Sequence, residues 1–215
     1  MKTNAKFVTS ASKPSEFPAP RLPELAVVGR SNVGKSSLIN ALVGDDLART
    51  SRTPGRTRLL NWFEVTGKPS FSLVDLPGFG YAAVSADMRE GWRPLIESYL
   101  STRTTLAGVL LLVDVRRGPQ EEELDFVPWL ENRGTPIIVA ITKSDKLPKA
   151  KRMLEVTKAK KILSLRREPI AVSAQSREGI DELWRAIAKT AAGWKPKATL
   201  DQPDAADAAD VADDE

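Results

Sequence analysis

Residues 24–43 read ELAVVGRSNVGKSSLINALV, and strand, turn and helix follow one another within them. ELAVVG (24–29) is apolar at almost every place, the pattern of a strand covered on both faces. The turn Gly29-Arg30-Ser31-Asn32-Val33-Gly34-Lys35-Ser36 fits G-x-x-x-x-G-K-[ST], and it opens a helix expected over Lys35–Leu42. Glycines let such a backbone curl until successive N–H groups converge on phosphate oxygens, at the positive end of the following helix. Lys35 would then reach the β- and γ-phosphates, and the Ser36 hydroxyl would ligate Mg²⁺. A plain glycine-rich turn with an exposed lysine is the alternative. The placement between an apolar run and a helical one argues against it.

Outward from this motif the same alternation repeats. SFSLVD (70–75), GVLLLVD (108–114), PIIVAIT (136–142) and PIAVS (169–173) are further short apolar runs. LLNWFEV (59–65) is joined to SFSLVD by TGKP, which predicts an antiparallel hairpin at one edge. Helical patterns fall between them at Asp87–Leu100, Glu121–Asn132, Lys149–Leu165 and Ile180–Ala191. The expectation is an α/β domain: a doubly wound, mostly parallel sheet of six to seven strands with helices on both faces. Ligands of such sheets bind beyond the carboxyl ends of the strands, so chemistry is sought in the loops there.

Three more of those loops carry usable groups. Asp75-Leu76-Pro77-Gly78 ends the run SFSLV. A carboxylate there can hold Mg²⁺ through water, and the Gly78 N–H can face a γ-phosphate. Thr142-Lys143-Ser144-Asp145 ends PIIVAI. Guanine offers two adjacent donors that one carboxylate can accept, so Asp145 would select guanine while the Lys143 stem packs on the base. Val172-Ser173-Ala174 ends the last run, where a backbone N–H can meet the guanine O6. Each loop alone has a bland reading as a turn or a helix cap. Four in order on four strand ends do not.

Composition narrows the chemistry further. The 215 residues include no cysteine and no histidine, which excludes disulfides, thiolate and imidazole metal sites and the Ser-His-Asp arrangement. No apolar run approaches the roughly 20 residues that span a bilayer, and the start lacks a secretory pattern, so a soluble cytoplasmic protein is expected. Net charge is +4, but Asp201–Glu215 hold seven acids and no base, so the rest of the chain carries +11. That imbalance points to an anionic partner, RNA before anionic lipid. Residues 1–22 read as an extended arm with a strand-like run at Lys6–Thr9, and 196–215 as a disordered acidic tail.

The set GRSNVGKS, DLPG, TKSD and VSA resembles the G1, G3, G4 and G5 motifs of Ras-like P-loop GTPases. The wording GRSNVGKSSLIN, TPGRTR and DLPGFGYA resembles the EngB (YihA/YsxC) ribosome-biogenesis GTPases, from about Phe7 to Trp194. The resemblance implies a GTPase domain over 23–195 that binds GTP and GDP with Mg²⁺. It places the G2 threonine on Thr57 within Thr53-Pro54-Gly55-Arg56-Thr57-Arg58, where Thr57 would ligate Mg²⁺ from switch I. It gives Gly55, Arg56, Thr57, Arg58 and Leu59 as nucleotide-binding, and assigns catalysis to Lys35, Thr57 and Gly78. Many GTPases orient water with a glutamine just after DxxG; here Phe79 stands there, so slow hydrolysis is expected. Relatives with asparagine at the place of Asn32 use K⁺, which leaves K⁺ stimulation open against a loop-stabilising amide. Tyr81 and Arg56 have no direction fixed by the sequence.

The implied role is a monomeric switch in assembly of the large ribosomal subunit, touching ribosomal RNA or a precursor particle, with no integral membrane association. Arg49, Arg52, Arg56 and Arg58 cluster around switch I, and lysines and arginines crowd 143–167 against two acids. They read either as an RNA-facing surface or as a solvated helix face with Met153, Leu154 and Ile162 turned inward. Two alternatives remain at this level. One is a nucleotide-gated interaction protein of cell division or the membrane surface. The other is a P-loop kinase, which TKSD disfavours.

Overall fold

The computed structural model describes residues 4–44, 47–48, 59–78 and 86–195. Gly55, Arg56, Thr57, Arg58, Phe79, Tyr81 and the tail 196–215 therefore lie outside the described residues. The described chain runs β1 (Asn4–Ala11), β2 (Glu24–Gly29), α1 (Lys35–Val43), β3 (Leu60–Thr66), β4 (Phe71–Asp75) and α2 (Ala86–Thr102). It continues through β5 (Leu106–Asp114), α3 (Glu121–Asn132), β6 (Ile137–Thr142), α4 (Lys149–Ile162), β7 (Ile170–Ala171) and α5 (Ile180–Ala192).

Seven strands form one sheet in the order β1-β3-β4-β2-β5-β6-β7. From β4 to β7 neighbours run parallel, whereas β3 pairs antiparallel with β4 and β1 antiparallel with β3. The expected hairpin is present, with β1 added outside it. That outer strand is longer than Lys6–Thr9, because its pairing with β3 from Asn4↔Thr66 to Ala11↔Leu60 does not need an apolar run.

Both faces of the sheet are covered, and the side-chain alternation of β2 shows how. Leu25 and Val27 point into a core shared with Leu38, Ile39 and Leu42 of α1 and Leu183 and Ile187 of α5. Ala26 and Val28 point the other way, toward Leu95, Ile96 and Tyr99 of α2 and Leu130 of α3. Each large apolar side chain buried in this manner contributes about 1.5–3 kcal/mol. A third cluster joins β5 and β6 to Val127 of α3 and to Val156, Ala159 and Leu163 in and after α4.

Helix α4 ends at Ile162 rather than at the expected Leu165, and it also differs in which apolar residues it buries. Met153, Leu154 and Ile162 do not turn inward; they are 53%, 62% and 49% exposed. The stripe that meets the sheet is Val156, Ala159 and Leu163. At about 100° per residue, Leu154 falls on the opposite side of the helix, and Met153 and Ile162 fall about a quarter-turn away on either flank. Among the described residues, no helix is long and apolar enough to cross a membrane.

Candidate nucleotide-binding site

The parallel registers Val27↔Asp75, Gly29↔Leu112, Asp114↔Thr142 and Ile141↔Ala171 bring the carboxyl ends of five strands to one rim. The first loop on that rim takes its shape from two residues in the left-handed region, Asn32 at φ 63° and Gly34 at φ 102°. Asparagine and glycine tolerate that conformation better than most residues. Gly34 caps α1, its carbonyl accepting from Leu38 N at 2.9 Å, so the helix opens directly behind the loop.

Glycine permits two close backbone approaches. A Cβ on Gly29 would stand 2.9 Å from the Leu112 carbonyl oxygen, where β2 passes β5. A Cβ on Gly78 would stand 3.0 Å from the Ser31 backbone nitrogen. The DLPG loop thus lies directly against the phosphate loop. Beneath both, the Lys35 ammonium is ion-paired with the Asp75 carboxylate, with both side chains at most a tenth exposed.

The purine side is tied to the phosphate loop by two residues of β6 and its end. Thr142 Oγ1 donates to the Val33 carbonyl at 2.7 Å. Lys143, at φ 56°, sends its Nζ to the Asn32 carbonyl at 2.5 Å and to Asp114 Oδ2 at 2.9 Å. Asp114 also receives Arg116 through Nε at 3.0 Å, Nη2 at 2.7 Å and the backbone N at 2.9 Å. Burial alone would raise the Asp114 carboxyl. The Arg116 and Lys143 bonds outweigh it and hold the group well below the usual carboxylate range.

Asp145 follows. Its Oδ1 accepts from Ser173 Oγ at 2.7 Å, and its Oδ2 meets Lys146 Nζ at 3.0 Å. The Ser173 bond, opposed only by partial burial, lowers its pKa, so the group is an anion at neutral pH. Each oxygen keeps further lone-pair capacity for a base. Ser173 N donates to the Glu178 carbonyl at 2.9 Å, which leaves Ala174 as the amide of the pair available to a guanine O6. A cleft of about 750 Å³ is lined by Gly34, Leu38, Thr142, Lys143, Asp145 and Ala174, among others.

Ser144 is fully buried, with its N–H on the Val172 carbonyl. Arg30 turns to Glu122 of α3 at 2.6 Å. Val33, Leu76 and Val172 are buried in the core, so they would serve through backbone atoms. Leu59 is 38% exposed. Asp114, the partner of Lys143, is marked by no motif in the sequence. It ends an apolar strand just as Asp75 does, and that is the available signal.

A family model described as "50S ribosome-binding GTPase" matches residues 24–143. The probable GTP-binding protein EngB of Pelotomaculum thermopropionicum is 49% identical over 189 residues, covering 86% of this chain and 94% of the relative. The chain belongs to the EngB family of GTP-binding proteins. EngB of Geobacter metallireducens is 48% identical over 187 residues, covering 86% of this chain and 91% of the relative. The crystal structure of a probable GTP-binding protein EngB superposes with a TM-score of 0.64 at 25% identity, over 78% of this chain and 97% of that one. Era in complex with MgGDPNP and nucleotides 1506–1542 of 16S ribosomal RNA gives a TM-score of 0.67 at 26% identity, over 82% and 59%. As an EngB protein with the P-loop fold, the chain is a GTPase.

Proposed function

We propose that this GTPase is a Mg²⁺-dependent, slowly hydrolysing switch in the assembly of the large ribosomal subunit. The reading is carried by the bridge Asn32–Lys143–Asp114 beside Asp145, which joins a purine-reading carboxylate to a phosphate-cradling loop across one cleft. The Gly29–Ser36 amides would wrap the triphosphate, Lys35 would neutralise its β- and γ-oxygens, and the Gly78 N–H would face the γ-phosphate. Thr57 would complete switch I, and Val172-Ser173-Ala174 would close over the base.

The donor set suits Mg²⁺. Ser36 offers a hydroxyl and Asp75 a buried carboxylate, and Thr57 would add a second hydroxyl. Among the described residues no group of three or more acids, histidines or cysteines could hold an ion unaided. Magnesium is commonly held in this way, with few protein ligands and the substrate phosphates completing its shell. When bound, it would neutralise charge developing on the transferring phosphoryl group. Phe79 has no hydrogen-bonding group with which to orient water, which supports a low intrinsic rate. The Asn32 side chain is exposed, and it makes no hydrogen bond among the described residues. The side chain is therefore open to a K⁺ ligand role beside the backbone's part in shaping the loop, and if it fills that role hydrolysis runs faster in KCl than in NaCl. Equal rates would remove K⁺ from the reading.

The ribosomal part is supported by the family description and by Era's bound ribosomal RNA. It is also supported by the exposed lysines Lys149, Lys151 and Lys161 on α4, which pair with no carboxylate among the described residues. Cosedimentation tests it. Retention on large-subunit precursors with a non-hydrolysable GTP analogue and release with GDP are expected. Retention on anionic vesicles instead would favour the cell-division reading. Asp145→Asn should shift preference from guanine to xanthine nucleotides, and unaltered selectivity would count against the assignment of that loop.

A further inference from the structure

The proposed switch assigns no role to the acidic end of the chain. Its carboxylates fall at every third place, Asp201, Asp204, Asp207, Asp210 and Asp213, before Asp214 and Glu215 close the run. From 205 to 212 every place between them is alanine or valine. A chain that turns once in three residues would gather the carboxylates on one side and the methyl groups on the other.

The body carries a surface of matching character. At the opposite ends of the strands from the nucleotide cleft lies a groove of about 350 Å³. Pro136, Ile137 and Ile170 give it apolar wall, and Arg166 and Arg167 give it charge. Both arginines are exposed, and neither pairs with a carboxylate among the described residues. Of the two acids in the wall, Glu168 is already held by Lys160 at 2.6 Å, which leaves Glu131 against two free guanidinium groups.

The chain leaves the body beside this groove. Thr190 of α5 lines it, α5 ends at Ala192, and the described residues end at Lys195. Six residues on, at Asp201, an extended chain can have travelled about 20 Å.

We propose that Asp201–Glu215 of the same chain occupy this groove, carboxylates on Arg166 and Arg167, alanines and valine against Pro136, Ile137 and Ile170. Tethering makes the contact inexpensive. A short linker holds its end at an effective concentration in the millimolar range, so a contact of only millimolar intrinsic affinity is filled about half the time. An anion in free solution must overcome that local concentration to take the same place.

The absence of cysteine from the chain makes the test direct. Asp210→Cys in the full-length protein gives a single anchor for a nitroxide, and amide NMR then reads which residues the label approaches. Severalfold loss of signal is expected at 134–138, 166–170 and 186–190. Recovery is expected on raising salt to about 0.5 M, where the Debye length falls below about 5 Å, and in Arg166→Glu/Arg167→Glu. Broadening that is absent, spread evenly over the surface or centred on the outer face of α4 would overturn the proposal, as would broadening undiminished in the double variant. GDP-induced shifts around Asp145 show that the double variant is folded, and the salt titration, run with both arginines in place, is decisive without it.

Discussion

Asp114 controls a lysine that the base is expected to lie against. Its carboxylate is 6% exposed and meets Lys143 Nζ at 2.9 Å, while the same ammonium holds the Asn32 carbonyl. Asp114→Asn keeps the shape but removes the charge that draws Lys143 into place. Because Lys143 acts on base binding rather than on the phosphates, the KM for GTP should rise about tenfold, equivalent to about 1.4 kcal/mol. The kcat should stay within about twofold. Steady-state kinetics checks this; simple loss of folded protein would instead lower the apparent kcat and leave KM alone. The carboxylates also set the pH response. Asp114 and Asp145 both have depressed pKa values in the fold. Their favourable contribution is therefore complete above the unfolded-state value of about 3.9 and is lost only as pH falls through the lower folded values. With no histidine in the chain, calorimetric GDP affinity should be flat from about pH 8 to 5, after correction for the phosphate's own titration near pH 6.

At the far end of β2, strand and helix are fastened by a buried ion pair. Glu24, the first residue of β2, receives Arg103 through Nε at 2.9 Å and Nη2 at 2.6 Å, and Tyr99 of α2 donates to it at 2.8 Å. The two charged side chains are 8% and 3% exposed. Burial, then the Glu24 charge, pushes the Tyr99 hydroxyl well above its ordinary value, so it stays a donor. Arg103→Met strands a buried carboxylate and should cost about 3–5 kcal/mol in urea unfolding, and adding Glu24→Met should restore much of it. A loss under about 1 kcal/mol would show the pair to be dispensable. None of this is legible in the sequence, where Glu24 merely opens an apolar run. The strands β2, β4, β5 and β6 are legible because burial on both faces leaves continuous apolar text. β7 reads as five residues but pairs over two. On α4, apolar residues outside the buried stripe mislead the inward assignment, because one helix can bury only one side. The phosphate loop can be read from the glycines its backbone favours, and the purine loop from a carboxylate that can accept both guanine donors. Asp114 cannot, because its role depends on a lysine that only β5–β6 pairing brings beside it.

Charge is distributed over the whole molecule in a way that no single site explains. Seven acids sit in the last fifteen residues, and the rest carries the excess of base. On α4, Lys158 is committed to Glu155 at 2.7 Å and Lys160 to Glu168, whereas Lys149, Lys151 and Lys161 remain exposed without such partners among the described residues. If these three meet nucleic-acid phosphates, each contact releases counterions, and the log of affinity falls with the log of salt by about 0.7–0.9 per phosphate. Changing all three to glutamine should therefore flatten the salt slope of binding to a ribosomal RNA fragment by about 2–3. None of the three lines the nucleotide cleft, so GTP turnover without RNA should be unchanged. A variant that keeps the parent slope between about 50 and 200 mM NaCl would remove this face of α4 from the interface and leave the arginines before β3 to carry it.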